Sequence, residues 1–446
     1  MNKEAFIEAV RNAGIVGEGG AGFPSHVKYA ASADTLIANG CECEPLLHTD
    51  HHIMYHYATG IGRAMQALGN AVGASRRALG LKKKHITLIP LLREALTPFG
   101  VNLFLLDDFY PAGDEQVLVR EVTGRSVPPL GIPLQVGAVV ANVGTLADVD
   151  AAMQGIPLTD KFLTVTGEAG RPAIIRAPLG TPLADCLAAC GGALPANPVF
   201  VLGGPMMGRV VEGLDALSRE RVTKTIGGLI VLPSGHSLHT NATLKVEFMR
   251  RRAASACIQC RYCSDLCPRR LIGHPFETHL VMRAFAVGNE LSEMGSQAVI
   301  CCECGACEQY ACPMGMSPRR VNQVVKAAMR GASLQYSGPK DIREAATAMR
   351  EYRKIPVPRL AARLGLAPYM ALETPWLGEL APSRVDILLR QHIGAPAVPA
   401  ISTGATVRKG DCIGEIPEGA LGARVHASIS GKVTAVSDDR ISIEGN

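Results

Sequence analysis

Charge of one sign is scarce in this 446-residue chain: 45 Lys and Arg face 40 Asp and Glu, a net charge of +5. Aromatic residues are scarcer, at 4% with a single Trp. The arginines that do cluster (Arg250, Arg251, Arg252, Arg269, Arg270, Arg319 and Arg320) have no aromatic residues interleaved to stack bases, which argues against nucleic acid as a partner. No stretch reaches the roughly 18–20 uncharged apolar residues of a membrane span, so no transmembrane segment is expected. The start, Met1-Asn-Lys-Glu-Ala-Phe6, has no hydrophobic signal core. A cytoplasmic location with reduced or metal-bound cysteines is therefore expected, and a disulfide framework of the small secreted kind is not. There is also no Ser-His-Asp set, nucleophile elbow or phosphoryl-transfer loop, so no side chain is assigned a catalytic role. What is abundant is Gly (47), Pro (29) and apolar residues (47%), the composition of a turn-rich α/β protein long enough for three or four domains.

The 14 cysteines are concentrated. One run reads Cys257-Ile-Gln-Cys260-Arg-Tyr-Cys263-Ser-Asp-Leu-Cys267-Pro268, the C-x2-C-x2-C-x3-C-P spacing of [4Fe–4S] ferredoxins. A second, Cys301-Cys-Glu-Cys304-Gly-Ala-Cys307-Glu-Gln-Tyr-Ala-Cys312-Pro313, repeats it with one extra residue before the last cysteine. Three thiolates at i, i+3 and i+6 can wrap one cubane, and the fourth reaches across to the other cluster. The expected ligand sets are Cys257, Cys260, Cys263 and Cys312 for one cluster, and Cys301, Cys304, Cys307 and Cys267 for the other. Zinc would use Cys pairs rather than two quartets each closed by Cys-Pro. Nearby arginines offset the clusters' negative charge and can guide an acidic redox partner.

Residues 3–13 have helical apolar spacing, and Gly17-Glu-Gly19-Gly20-Ala-Gly22-Phe23-Pro24 follows. A Rossmann fingerprint should follow a strand, so the G-x-G-x-x-G match is rejected. The glycines still suit close backbone approach to a phosphate, with Lys28 in reach. Three predicted strands end in polar groups: Thr35–Asn39 before Gly40-Cys41-Glu42-Cys43-Glu44, Leu103–Leu106 before Tyr110-Pro-Ala-Gly113-Asp114-Glu115, and Ala138–Asn142 before Gly144-Thr145. Ligands of open α/β sheets collect at such carboxyl ends, which predicts a cofactor cleft. Lys82-Lys83-Lys84 reads as a solvated turn before a strand at Ile86–Ile89. His52 and His56, one helical turn apart near His48 and His51, read as a polar helix face. Cys186 and Cys190 read as core side chains.

The set GEGGAGFP, NGCECEP, YPAGDE and NVGT resembles the flavin-binding subunit of respiratory complex I, and more closely the RnfC component of Rnf electron-transport complexes. Over nearly its whole length the chain is most similar to the cobalamin reductase family of propanediol-utilisation microcompartments. The resemblance implies that Gly17, Gly19, Gly20 and Lys28 meet an FMN phosphate. Asn39, Glu42, Tyr110, Gly113 and Asn142 would line the flavin or its ribityl chain, with Asp114 and Thr145 in the same candidate set. Phe23, Glu44 and Glu115 would face NADH, the electron donor. Glu18 stands where complex I has an arginine, and Cys41 and Cys43 stand for an aspartate and a serine.

The expected architecture is a multidomain mixture of α/β and α+β. A complex I flavin-subunit-like domain (1–155) binding FMN and NADH precedes a β-grasp (SLBB) domain (156–240). A helical ferredoxin-like domain with two [4Fe–4S] clusters (241–335), a helical linker (336–382) and a barrel-sandwich hybrid (383–446) follow. Rnf relatives carry that last module at the opposite end. It resembles lipoyl and biotinyl carriers, but its hairpin tip, Pro417-Glu-Gly-Ala-Leu-Gly422, has no modifiable lysine, so a packing or interaction role is expected. The resemblance implies electron transfer from NADH through FMN and the clusters to cobalamin, beside an adenosyltransferase and shell proteins, inside or attached to a microcompartment. The alternatives are an NADH:ferredoxin or NADH:flavodoxin oxidoreductase of another microcompartment type, or a non-enzymatic wiring subunit. Homo-oligomerisation is left open.

Overall fold

The computed structural model describes residues 1–445, apart from the side chains of Ala345 and Ala346. Four parallel strands form the first sheet, in the order β3-β2-β1-β5: β1 (Thr35–Gly40), β2 (Arg76–Lys82), β3 (Asn102–Leu106) and β5 (Ala138–Asn142). β1 and β5 are almost wholly buried, as strands covered on both faces must be. Leu36, Leu79 and Val139 pack into one core and Ile37, Ala78 and Val140 into another. Asn39 and Asn142 are register partners at the carboxyl end of the sheet. β4 (Phe109–Tyr110) lies just beyond it.

A six-stranded mixed sheet follows, ordered β12-β7-β6-β10-β8-β9: β6 (Asp160–Gly167), β7 (Ala173–Pro178), β8 (Pro198–Leu202), β9 (Arg209–Glu212), β10 (Gly228–Pro233) and β12 (Trp376–Glu379). Its core includes Cys186 and Cys190, both fully buried. The helical module spans the helices Val246–Ala256 to Pro318–Gly331 around Phe276, Phe285 and Val325. The C-terminal strands β13 (Arg384–Leu388), β14 (Val398–Pro399), β15 (Thr406–Val407), β16 (Cys412–Glu415), β17 (Val425–His426), β18 (Gly431–Val436) and β19 (Arg440–Gly445) form two sheets enclosing Ile387, Ile413, Val433 and Ile443.

Two expectations are corrected. Lys82 is not solvated: it is the last residue of β2, its side chain is fully buried, and Nζ lies 2.9 Å from Asp108, an ion pair whose angle falls outside a hydrogen bond. Ile86–Ile89 is no strand either. It leads into the helix Leu88–Leu96, whose Leu88, Leu92 and Leu96 fall on one buried face at i, i+4 and i+8. The segment 336–382 does more than link. Its β11 (Ile355–Pro356) pairs with β4, placing Ile355 opposite Tyr110, and its β12 extends the six-stranded sheet beside β7. His52 meets His56 at a tilt and stacks on Trp376 of that segment, with ring centroids 4.4 and 4.9 Å apart.

Candidate functional site: a polar cavity and two thiol sets

Where the first sheet meets β4 and the glycine loop there is a cavity of about 360 Å3. Its wall contains Gly17, Gly19, Gly20, Phe23, Lys28, Asn39, Glu42, Glu44, Tyr110, Gly113, Asp114, Glu115, Asn142 and Thr145. All the residues expected at a cofactor thus surround one space. The glycine loop is held by Gly17 N–H donating to Phe23 O (2.9 Å) and Glu18 N–H donating to Thr145 Oγ1 (3.0 Å). A Cβ on Gly19 would sit 3.2 Å from Asn142, and one on Gly113 would sit 2.5 Å from the Cys41 carbonyl. At Gly113 the Cys41 backbone leaves no room for a side chain, and at Gly19 the Asn142 side chain would have to give way slightly.

Several polar side chains in the wall are already engaged. Asn39 donates from Nδ2 to Gly113 O (2.8 Å) and accepts from Cys41 N–H (3.1 Å), tying β1 to the loop after β4. Asn142 caps the helix Val143–Ala152 through Gly144 N–H (2.7 Å) and donates to Asp50 Oδ2 (3.0 Å). Asp114 caps the helix Glu115–Thr123 and takes a bidentate pair from Arg269 (2.6 and 3.0 Å), a bond to the helical module. Lys28 is paired with Glu115 at 2.5 Å. Glu18 turns away to pair with Lys161 of β6, both nearly buried.

Three carboxyls remain at the cavity. Glu44 accepts from Met206 N–H (2.7 Å) through Oε2, while its buried Oε1 has no partner among the described residues. Burial raises Glu44 to about 7. Glu42 and Asp50 are pushed up by the same cause, and further by the charge of Glu44 on Glu42 and of Glu42 on Asp50; the Glu44 N–H and Asn142 respectively hold them down in part. An orphaned buried acceptor in a polar cavity is the signature of a site built for a ligand. Sequence reasoning did not place Ser25, Asp50 or Met207 at the cavity, nor Cys304, which it named only as a cluster ligand. Asp50 sits in a helix with no motif around it, and Met207 and Cys304 arrive from other domains.

Cys304 joins this cavity to the cysteines. Its carbonyl accepts the Tyr110 phenol at 2.5 Å, with Tyr110 fully buried. Cys267 lies among Cys301, Cys304 and Cys307; burial pushes Cys267 up to about 12 and Cys307 well above the usual thiol range. Cys304 is raised too, first by a hydrogen bond with the adjacent Cys302 thiol and then by burial, and Cys302 is held down by the same bond. Cys302 is a ninth thiol that the motif does not use. The other set, Cys257, Cys260, Cys263 and Cys312, lines a shallow apolar hollow with Met282, Met314 and Met316. Cys263 rises to about 12 by burial and the three neighbouring thiols. Burial favours the neutral form of Cys263, Cys267 and Cys307, and a bound cation would offset that cost for the thiolates. Among the described residues no three His, Cys, Asp or Glu donors converge on a single point, as one zinc ion would need. Each set holds four thiols, one for each iron corner of a cubane. The extra residue before Cys312 is absorbed as a π-helical turn, Cys307–Ala311, closed by Cys312 N–H to Cys307 O (3.1 Å), and Cys312 thereby reaches the first set.

Family models match four stretches in order: the Nuo51 FMN-binding domain (10–151), the SLBB domain (162–210), the 4Fe-4S dicluster domain (256–317) and the RnfC barrel sandwich hybrid domain (376–445). A crystal structure of an NAD+-reducing [NiFe]-hydrogenase in the H2-reduced state shares the fold at a TM-score of 0.52 and 23% identity, over 76% of this chain and 64% of that one. Cavity, thiol quartets and fold define a flavin and iron–sulfur electron-transfer oxidoreductase. The chain is 42% identical to the cobalamin reductase PduS of Salmonella typhimurium over 99% of its own length and 97% of that protein's. It is 41% identical to the Citrobacter freundii PduS over 98% and 95%. A component of the Na+-translocating ferredoxin:NAD+ oxidoreductase complex of Acetobacterium woodii is 34% identical over 61% and 59%. The chain belongs to the cobalamin reductase PduS family. Among the described residues no helix is long and apolar enough to cross a membrane.

Proposed function

We propose that the chain is an NADH-dependent cobalamin reductase that takes electrons in at the cavity and releases them at the solvent-facing thiol set. Bound FMN supplies the conversion of a two-electron hydride donor into single electrons, which iron–sulfur centres require. Gly17, Gly19, Gly20 and Lys28 would hold its phosphate. Glu42, Tyr110, Gly113, Asp114 and Thr145 would flank the ring and ribityl chain, with Asn39 and Asn142 acting through the wall they brace. Phe23, Glu44 and Glu115 would bound the nicotinamide side. Lys28 is expected to exchange Glu115 for phosphate when FMN enters, which frees Glu115 at the mouth.

The observation that carries this reading is the Tyr110–Cys304 bond, since it makes the cavity wall and one thiol quartet a single hydrogen-bonded unit. The set of Cys301, Cys304, Cys307 and Cys267 is thereby the inner one. The set containing the exposed Cys260 is the outer one. Cob(III)alamin or cob(II)alamin would be the acceptor, for an adenosyltransferase and within or against a microcompartment shell.

A second reading, an NADH:flavodoxin or NADH:ferredoxin oxidoreductase, is favoured by the exposed Arg261 in the hollow of the outer set, which suits an acidic protein. Anaerobic purification with iron, sulfide and flavin assayed on one sample tests the cofactors. NADH-driven turnover with hydroxocobalamin against a flavodoxin then separates the acceptors. Turnover with flavodoxin alone would overturn the cobalamin assignment.

A further inference from the structure

A second cavity, of about 290 Å3, lies between the edge of the six-stranded sheet and the helical module. That is at the lower bound of the roughly 300–1,000 Å3 of small-molecule sites. Its charged lining is three guanidiniums, Arg209, Arg319 and Arg320, against one carboxylate, Glu308. Glu308 is nearly buried and turns Oε2 to the Arg320 backbone N–H (3.2 Å). Arg319 donates Nη1 to Met206 O (2.7 Å), and its Nε is buried with no acceptor among the described residues. Arg320 donates Nη1 to Asn241 O (2.9 Å). A guanidinium presents five donors, so most of both forks remains available. Gln309 and Gln323 add amide groups to the same wall. Arg209 sits on the rim, paired with Glu220.

We propose that this cavity is an oxyanion-binding site for a phosphate-bearing small ligand, gripped by Arg319 and Arg320 with Arg209 at the entrance. A planar guanidinium fork is the group best matched to phosphate oxygens. A buried donor with no acceptor costs stability until one arrives. The site is distinct from the flavin cavity, and Met206 bridges a residue of each: it gives its N–H to Glu44 and accepts Arg319 at its carbonyl.

The test is calorimetric titration of the full-length, anaerobically purified protein with inorganic phosphate and, in a parallel arm, glycerol phosphate. Saturable binding is expected, weakened about tenfold or more by Arg320→Gln and less by the rim variant Arg209→Gln, with iron content unchanged in both. Tighter binding of glycerol phosphate than of inorganic phosphate identifies an ester as the ligand; the reverse order identifies the free ion. Absence of saturable binding in either arm overturns the proposal. So does binding indifferent to both variants, which would place the anion elsewhere, the glycine loop included. Because the arginine variants leave that loop intact, a preparation without flavin would sink the reductase reading while leaving this result interpretable.

Discussion

In the loop Cys257–Cys263 the residues flanking the middle cysteine, Gln259 and Arg261, have φ of 53° and 69°; in Cys301–Cys307 the equivalent Glu303 and Gly305 have 60° and 79°. Left-handed backbone on both sides of the middle cysteine curls each loop so that its sulfurs face one side. Each loop also directs a donor at its first sulfur: Gln259 Nε2 to Cys257 Sγ and Glu303 N–H to Cys301 Sγ, both 3.3 Å. The surroundings differ sharply. Ile258, Cys260, Arg261 and Tyr262 of the first loop are exposed, whereas Cys304 and Cys307 of the second are buried, Cys304 in one cluster with Tyr110 and Met206. Only the second can use glycine at its left-handed position after the middle cysteine to advantage. A Cβ on Gly305 would press to 3.1 Å from the Met206 carbonyl, while the half-exposed Arg261 has room to reach Glu277 at 3.7 Å. In the proposed electron path the same local motif would serve as an inner and an outer station, with tertiary contacts deciding which is which.

The largest expected effect breaks the comparison outright. Cys304→Ser removes an inner ligand, and iron falls from about eight to about four atoms per chain. NADH then bleaches flavin absorbance but reduces no cluster. Cys260→Ser also halves the iron, but the remaining cluster stays reducible by NADH and only transfer to the external acceptor is lost. Exposure to a chelator sharpens the contrast, because the outer cluster should be lost first, followed by EPR.

Intermediate effects probe the wall between cavity and inner set. Tyr110→Phe leaves the Cys304 carbonyl buried without its donor, at about 1–3 kcal/mol of stability. Flavin content should be kept and cluster reduction slowed, measured by stopped flow. Glu44 gives a pH effect of similar size in flavin-free protein. Its folded value of about 7 lies above the ordinary 4.5, so the folded state keeps a proton that the unfolded chain releases. The stabilisation is complete below about pH 4.5 and is lost as pH rises through 7, on the order of 3 kcal/mol in all. Glu44→Gln should flatten this slope in urea unfolding followed between pH 5 and 8 (about the range spanned).

Much of this was readable in the residues. The cysteine spacing brought out both proposed quartets, and its one irregularity, the extra residue before Cys312, coincides with the π-helical turn, which the spacing did not foretell. The strand ends at Asn39, Tyr110 and Asn142 and the loop at Gly17 pointed to one cavity, because motif chemistry at the carboxyl edge of a parallel sheet is local. What could not be read was how polar groups are spent. Asp114 lines the cavity as expected, but its carboxylate is engaged by Arg269 from a different domain. Lys82 looks solvated, yet Asp108 lets it be buried. Such pairings depend on elements far apart in sequence, as does the place of 336–382, whose Ile355 braces Tyr110.

The smallest effect concerns Lys28. Its pair with Glu115 is partly exposed, so Lys28→Ala should cost less than about 1 kcal/mol of stability. Flavin release on dilution, read by fluorescence, should nevertheless increase about tenfold if a charge-assisted phosphate contact is lost.

Freeze-quench EPR of the Cys260→Ser and Cys304→Ser holoproteins after a single NADH pulse tests the order of the two stations. A reduced cluster in Cys260→Ser and none in Cys304→Ser is the predicted result. A reduced outer cluster in Cys304→Ser, formed as fast as in the unaltered protein, would contradict the account, because the cavity would then reach solvent without passing through the inner set.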